Sequence, residues 1–178
     1  MEHKIKILDF WINEHILLEY LAEGKHVFNL HSDFANEKLG RYSFLGSDPF
    51  ISFYNIDNEI VISSNSGETR KNAVNPFDEI KALLQQYKIS VDSQLPFIGG
   101  AVGYFGYDNY YFLENVENNN IDDIEIPDSF WGFYDKVYIF DHKEKKIILS
   151  AINYDGRQNL DKTISKMMEV LSNIKNKN

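Results

Sequence analysis

The side chains able to do acid, base or metal chemistry are few and widely spaced. The five histidines stand at positions 3, 15, 26, 31 and 142. None lies two or four residues from another, the spacings that bring two imidazoles to one cation on a strand or a helix. The spacing therefore predicts no metal site. There is no cysteine, which removes thiol catalysis, Cys-based zinc and disulfides. No Gly-x-Ser-x-Gly elbow occurs, so serine hydrolase chemistry has no visible carrier. Gly99, Gly100, Gly103 and Gly106 crowd one segment, but their order lacks Gly-x-Gly-x-x-Gly, and no Lys-Ser/Thr follows for a phosphate loop. They read as structural glycines that let another backbone or a bulky ring approach a strand. Asp122, Asp123, Glu125 and Asp128 lack the spacing and the glycine of a calcium loop. They read as a solvated acidic loop.

Charge and composition narrow the classes further. Eighteen Lys and Arg against 27 Asp and Glu give a formal charge of -9, which disfavours nucleic acid and anionic membrane surfaces as partners. The 178 residues, 43% apolar and 25% charged, fit one globular domain spanning residues 1–178. No run approaches the roughly 18 to 20 apolar residues of a membrane span, and the N-terminus lacks a signal peptide. A soluble, cytoplasmic protein is expected. Aromatics are abundant, with 13 Phe, 11 Tyr and 2 Trp. The stripe Phe130, Trp131, Phe133, Tyr134, Tyr138 and Phe140 reads as core, not as a sugar- or base-stacking surface.

The elements that must position these residues follow from periodicity. Phe10, Ile16, Leu17, Tyr20 and Leu21 recur at helical spacing with Gly24 as a stop, predicting a helix over 10–21. Lys25 to Leu30 reads as a first central strand. From Arg41 to Arg70, short extended runs separated by Asp57-Asn58 and Asn65-Ser66-Gly67 predict an antiparallel meander. Asn75-Pro76-Phe77-Asp78 carries an N-cap, a proline at the first helical position and an acidic residue in the first turn. It predicts a helix to about Tyr87 with Ile80, Leu83, Leu84 and Tyr87 as its buried stripe. Pro96 to Tyr107 is strand-like, Asp108 to Leu113 turns helical, and Glu114 to Asp128 is a polar, mobile loop. Phe130 to Asp141 and Lys146 to Asn153 form a hairpin around His142 to Lys145, with both faces of its first strand covered. Leu160, Ile164, Met167, Met168 and Leu171 predict a C-terminal helix.

Several segments carry a resemblance. They are Leu30-His31-Ser32 after a strand, the run from Gly40 through Arg41, Tyr42, Ser43, Phe44, Leu45, Gly46, Ser47 and Asp48 to Pro49, Asn75-Pro76-Phe77, and the run from Phe97 to Asp108. Pro127-Asp128 and the stretch from Phe133-Tyr134-Asp135 to Phe140-Asp141-His142 continue it. Together they resemble the N-terminal domain of component I of anthranilate synthase and of aminodeoxychorismate (para-aminobenzoate) synthase. The resemblance implies an α+β fold, with antiparallel sheets in a layered, orthogonal sandwich-like arrangement and flanking helices. It also implies the first part of a longer enzyme, non-catalytic by itself, whose C-terminal chorismate-binding catalytic domain is absent and would hold Mg2+. No cofactor is expected in this domain. The implied partners are that catalytic domain, a glutamine amidotransferase subunit (component II) and L-tryptophan, with no nucleic acid and no membrane.

The amino-acid pocket implied by the resemblance comprises Leu30, His31, Ser32, Leu39, Gly40, Arg41 and Tyr42. A strand end exposes unpaired backbone groups suited to an ammonium and a carboxylate, and Leu30 and Tyr42 supply apolar walls. Arg41 pairs either with a ligand carboxylate or with Asp33 or Glu37. Anthranilate synthases usually read Leu-Glu-Ser where this chain reads Leu-His-Ser, so His31 favours the aminodeoxychorismate branch. An anthranilate synthase domain and a stand-alone amino-acid-binding module remain as alternatives. Tyr104, Phe105 and Tyr107 are expected to face a further domain.

Overall fold

The computed structural model describes residues 2–31, 40–56, 58–91, 93–114 and 126–176. It is mixed α+β, and its contacts divide the chain into two compact units, each built on one five-stranded antiparallel sheet. The expected loop 114–128 falls largely on residues outside the described ones.

The first unit comprises Met1–Pro49, Ile89–Gly100 and Tyr134–Asn178. Its strands are β1 (Glu2–Leu8), β2 (Phe28–Leu30), β3 (Tyr42–Gly46), β9 (Lys136–Asp141) and β10 (Lys146–Asn153), in the order β1-β10-β9-β3-β2. The strands numbered between, β4 to β8, belong to the second unit. Helices α1 (Glu14–Leu21) and α3 (Leu160–Lys175) cover one face. Leu17, Leu21, Ile164, Met167, Leu171 and Ile174 pack there against Tyr138, Phe140, Ile147 and Leu149. Alternate strand residues Val137, Ile139, Ile148 and Ile152 point the other way and are also buried. The doubly covered strand is thereby borne out, because a period of two with both phases apolar requires two apolar neighbours. On that second face Phe97 meets Phe28 and Phe44 edge-on, and Ser150 Oγ donates to the Ile98 carbonyl at 2.6 Å.

The second unit comprises Phe50–Lys88 and Ala101–Phe133. Its strands are β4 (Ile51–Ile56), β5 (Glu59–Ser64), β6 (Gly67–Asn72), β7 (Gly100–Phe105) and β8 (Ser129–Tyr134), ordered β6-β5-β4-β8-β7. Helix α2 (Pro76–Gln86) covers the sheet, with Ile80 packed on Ile51, Phe53, Ile60 and Phe133. The meander is present as β4-β5-β6, and its turn residues Asn58 and Gly67 take the expected positive φ, 60° and 130°. Asn75 caps α2 by accepting from the N–H groups of Phe77 (3.0 Å) and Asp78. Replacing it with Ala is expected to lower stability by about 1 kcal/mol, read as a shifted urea midpoint with unchanged slope.

Five expectations are corrected. The helix predicted over 10–21 begins only at Glu14, because Asn13 accepts from the His15 N–H and so fixes the start there. Lys25 to Leu30 yields a three-residue strand at the sheet edge, not a central one. Tyr42 to Leu45 belongs to the first sheet, paired with β9 and β2, and not to the meander. Phe130 to Asp141 is two strands, β8 and β9, in different sheets, parted at Asp135. Leu84 is 44% exposed, since its neighbours Ile80, Leu83 and Tyr87 already cover the helix's contact face. Residues 2–8, to which the sequence assigned no element, form edge strand β1. Among the described residues no helix is long and apolar enough to cross a membrane.

Candidate functional site

Five of the seven pocket residues drawn from the resemblance are described: Leu30, His31, Gly40, Arg41 and Tyr42. Ser32 and Leu39 lie outside the described residues. Leu30 ends β2 and is 46% exposed. Gly40 takes φ 82°, a left-handed conformation open to glycine without a steric cost. Arg41 pairs with Asp141, while Asp33 and Glu37, its expected protein partners, lie outside the described residues. Its guanidinium grips Asp141 from two nitrogens, Nε donating at 3.1 and 3.2 Å and Nη2 at 2.7 Å, while it stacks over the Tyr42 ring. The register explains this, since Tyr42 of β3 stands opposite Asp141 of β9. Burial by itself would raise the Asp141 pKa. The Arg41 hydrogen bonds, the Glu144 N–H, the Arg41 charge and the Lys143 N–H outweigh it and hold the carboxyl below its ordinary value.

The same register carries His31 into company that spacing along the chain does not reveal. His31 Nδ1 lies 2.5 Å from Glu14 Oε1 and 3.0 Å from Ser43 Oγ. Ser43 Oγ in turn lies 2.6 Å from His142 Nε2, which stands 3.9 Å from Glu14 Oε2. Each member comes from a different element: Glu14 from the first turn of α1, His31 from the end of β2, Ser43 from β3, and His142 from the β9–β10 turn. Glu14 is 7% exposed and Ser43 fully buried. The positive end of α1 favours the Glu14 carboxylate. Burial pushes the His142 imidazole below its ordinary pKa. Glu14 and Asp141 pull it up, His31 and Lys145 push it down, and the net direction is down. Trp11, Asn13, His15, Glu14, His31 and His142 line an open cleft of about 430 Å³, large enough for a small ligand.

Of these residues the sequence assigned a pocket role only to His31. Ser43 and His142 lie in resembling segments, but nothing there showed that they meet, because Ser43 is 12 residues from His31 and 99 from His142, and Glu14 carried no signal. The one local clue is Asn13, whose capping side chain places Glu14 at the helix start.

At Gly99, Gly103 and Gly106 another backbone comes close, whereas at Gly100 a Cβ would meet only Phe97 at 3.8 Å. A side chain at Gly103 would meet the Phe130 carbonyl at 2.0 Å, and one at Gly106 the Asp128 carbonyl at 2.7 Å. Gly99 and Gly100 take φ 146° and 123°. Of the residues expected to face a further domain, Tyr107 is 89% and Tyr104 42% exposed. Phe105 packs on Phe77 and Trp131.

Comparison with known proteins gives a consistent set of relatives. A model of the chorismate binding enzyme family matches residues 38–178. Anthranilate synthase component 1 of Acetivibrio thermocellus is 35% identical over 142 residues, covering 79% of this chain and 29% of that protein. Aminodeoxychorismate synthase component 1 of Escherichia coli is 29% identical over 126 residues, covering 70% of this chain and 28% of that protein. Among solved structures, anthranilate synthase component I from Streptococcus pneumoniae matches with a TM-score of 0.62 at 25% identity, over 80% of this chain and 32% of that one. The chain spans less than a third of the length of these relatives.

Proposed function

Because this chain belongs to the chorismate binding enzyme family, we propose that it serves as the N-terminal, non-catalytic part of component I of a glutamine-dependent synthase that aminates chorismate. Within that role it contacts a catalytic domain and a glutamine amidotransferase, and offers an amino-acid pocket beside His31 and Tyr42. The observation that carries this reading is the match to component I of both synthases over most of this chain, but under a third of theirs.

The aminodeoxychorismate branch is favoured by His31. An imidazole stands where the anthranilate branch usually has a carboxylate, and a neutral ring cannot meet a ligand's ammonium as a carboxylate does. The branch would place the chain in para-aminobenzoate and folate biosynthesis. The anthranilate branch, and with it tryptophan biosynthesis, has on its side the 35% identity to the Acetivibrio thermocellus protein and the structural likeness to the Streptococcus pneumoniae one.

Two measurements test the reading. Incubated with chorismate, Mg2+ and ammonia, the chain alone is expected to yield neither anthranilate nor aminodeoxychorismate; turnover would overturn the non-catalytic role. In titration calorimetry with L-tryptophan, weak or silent binding that strengthens in His31→Glu supports the aminodeoxychorismate branch. Micromolar binding by the unchanged chain, retained in His31→Glu, favours the anthranilate branch.

A further inference from the structure

We propose that Glu14, His31 and His142 form a binding site for one zinc-class divalent cation. The inference does not depend on the branch or on the amino-acid pocket. One ligand atom from each of the three residues lies within 4.8 Å of the other two. A tetrahedral zinc site, with bonds near 2.0–2.1 Å, needs neighbouring donors about 3.4 Å apart. The Glu14 to His31 contact at 2.5 Å and the Glu14 to His142 contact at 3.9 Å bracket that spacing. Movements of roughly 1 Å or less, within the freedom of side-chain torsions, bring the three donors to it.

An independent observation points to a ligand. Glu14 is more than nine-tenths buried, and its Oε2 is shielded from solvent and has no hydrogen-bond partner among the described residues. A buried carboxylate oxygen left this way is costly, and an ion or water is among the ordinary reasons for one. Oε2 is the oxygen nearer His142 Nε2, on the side of the cleft that Trp11, Asn13 and His15 complete.

The donor set selects the cation. Two imidazole nitrogens and one carboxylate suit Zn2+ and its first-row neighbours, whereas Mg2+ and Ca2+ prefer all-oxygen shells. Three protein donors facing an open cleft leave a further position for water or a small ligand, the arrangement of non-structural zinc sites. Ser43 Oγ, now 2.6 and 3.0 Å from the two ring nitrogens, gives up those contacts when the nitrogens turn their lone pairs to the ion.

The test uses the whole chain, stripped with chelator and titrated with Co2+ as a spectroscopic stand-in, then with Zn2+. One equivalent of Co2+ is expected to produce visible ligand-field bands that Zn2+ abolishes. Glu14→Gln and His142→Ala are each expected to weaken binding by about 100-fold, at the upper end of what a disturbed ligand shell costs. His3→Ala, on the exterior strand β1, leaves it unchanged. Absence of a saturable one-equivalent band, or equal binding by the unchanged chain and His142→Ala, would overturn the site. Imidazole resonances of the unchanged chain make the test independent of variant folding. Zn2+ is expected to shift those of His31 and His142 but not His3, and shifts confined to His3 would overturn it.

Discussion

Gly103→Ala is expected to destabilise the second unit by about 3 kcal/mol, at the severe end of overpacking. The Cβ would sit 2.0 Å from the Phe130 carbonyl oxygen, 2.7 Å from Trp131 Cα and 2.8 Å from Trp131 Cδ2. The first two neighbours are backbone, and backbone paired in a sheet cannot rotate aside as a flexible side chain does. Relief requires β7 to separate from β8, next to the strand that carries Phe53 and its packing on Ile60 and Ile80. Gly103 keeps a negative or extended φ, so the cost is steric and not conformational. Urea unfolding followed by Trp131 fluorescence, in a Trp11→Phe background, reads the effect at the contact itself. An unshifted midpoint would show that β8 yields more easily than its hydrogen bonding suggests.

How far the sequence speaks is visible in the same segment. The close backbone approach at Gly99, Gly103 and Gly106 was legible, because a residue without Cβ is wasted in a strand unless something occupies its space, whereas Gly100 is there for its positive φ. Helix α2 was legible too. Its cap, proline and first-turn acid are local signals, and the sheet did not have to override them. Phe130 to Asp141 was not, since its twelve residues hold nothing local to say that the chain changes sheets at Asp135. Strand β1 escaped for a related reason. Its residues Glu2, His3, Lys4 and Lys6 have low strand preference, and it exists because β10 offers it a ladder from Glu2 opposite Asn153 to Leu8 opposite Ile147.

The site divides along the same line. Resemblance drew attention to His31 and Arg41, two residues on either side of a strand connection, but was silent on what they touch. Arg41's partner is 100 residues away and His31's neighbours come from three other elements. Such contacts are set by the β3 to β9 register, and a slip of one residue would turn Ser43 and Phe140 to opposite faces. The absence of paired-histidine spacing argued against a metal site within one element. It could not speak about four elements meeting.

Asp141→Ala is expected to cost about 2 to 3 kcal/mol, and the loss should be pH-dependent. The carboxylate is 4% exposed and accepts from Arg41 at two nitrogens and from the Lys143 and Glu144 N–H groups at 3.1 Å each. Its removal unties the β9–β10 turn and frees Arg41, which is itself exposed enough to rehydrate. That recovery keeps the cost below the upper range for a broken buried pair. Because the folded-state pKa of Asp141 is depressed, its contribution is complete above the unfolded value near 3.9 and is lost as pH falls through the folded value. The stability gap between the unchanged chain and Asp141→Ala should therefore be constant from pH 7 down to about 5 and narrow below about 4. Urea midpoints measured across that range decide it. A gap that persists undiminished in acid would mean that Asp141 acts through packing and not through its charge, and would remove the Arg41 pair as the reason β3 and β9 hold their register beside His31 and His142.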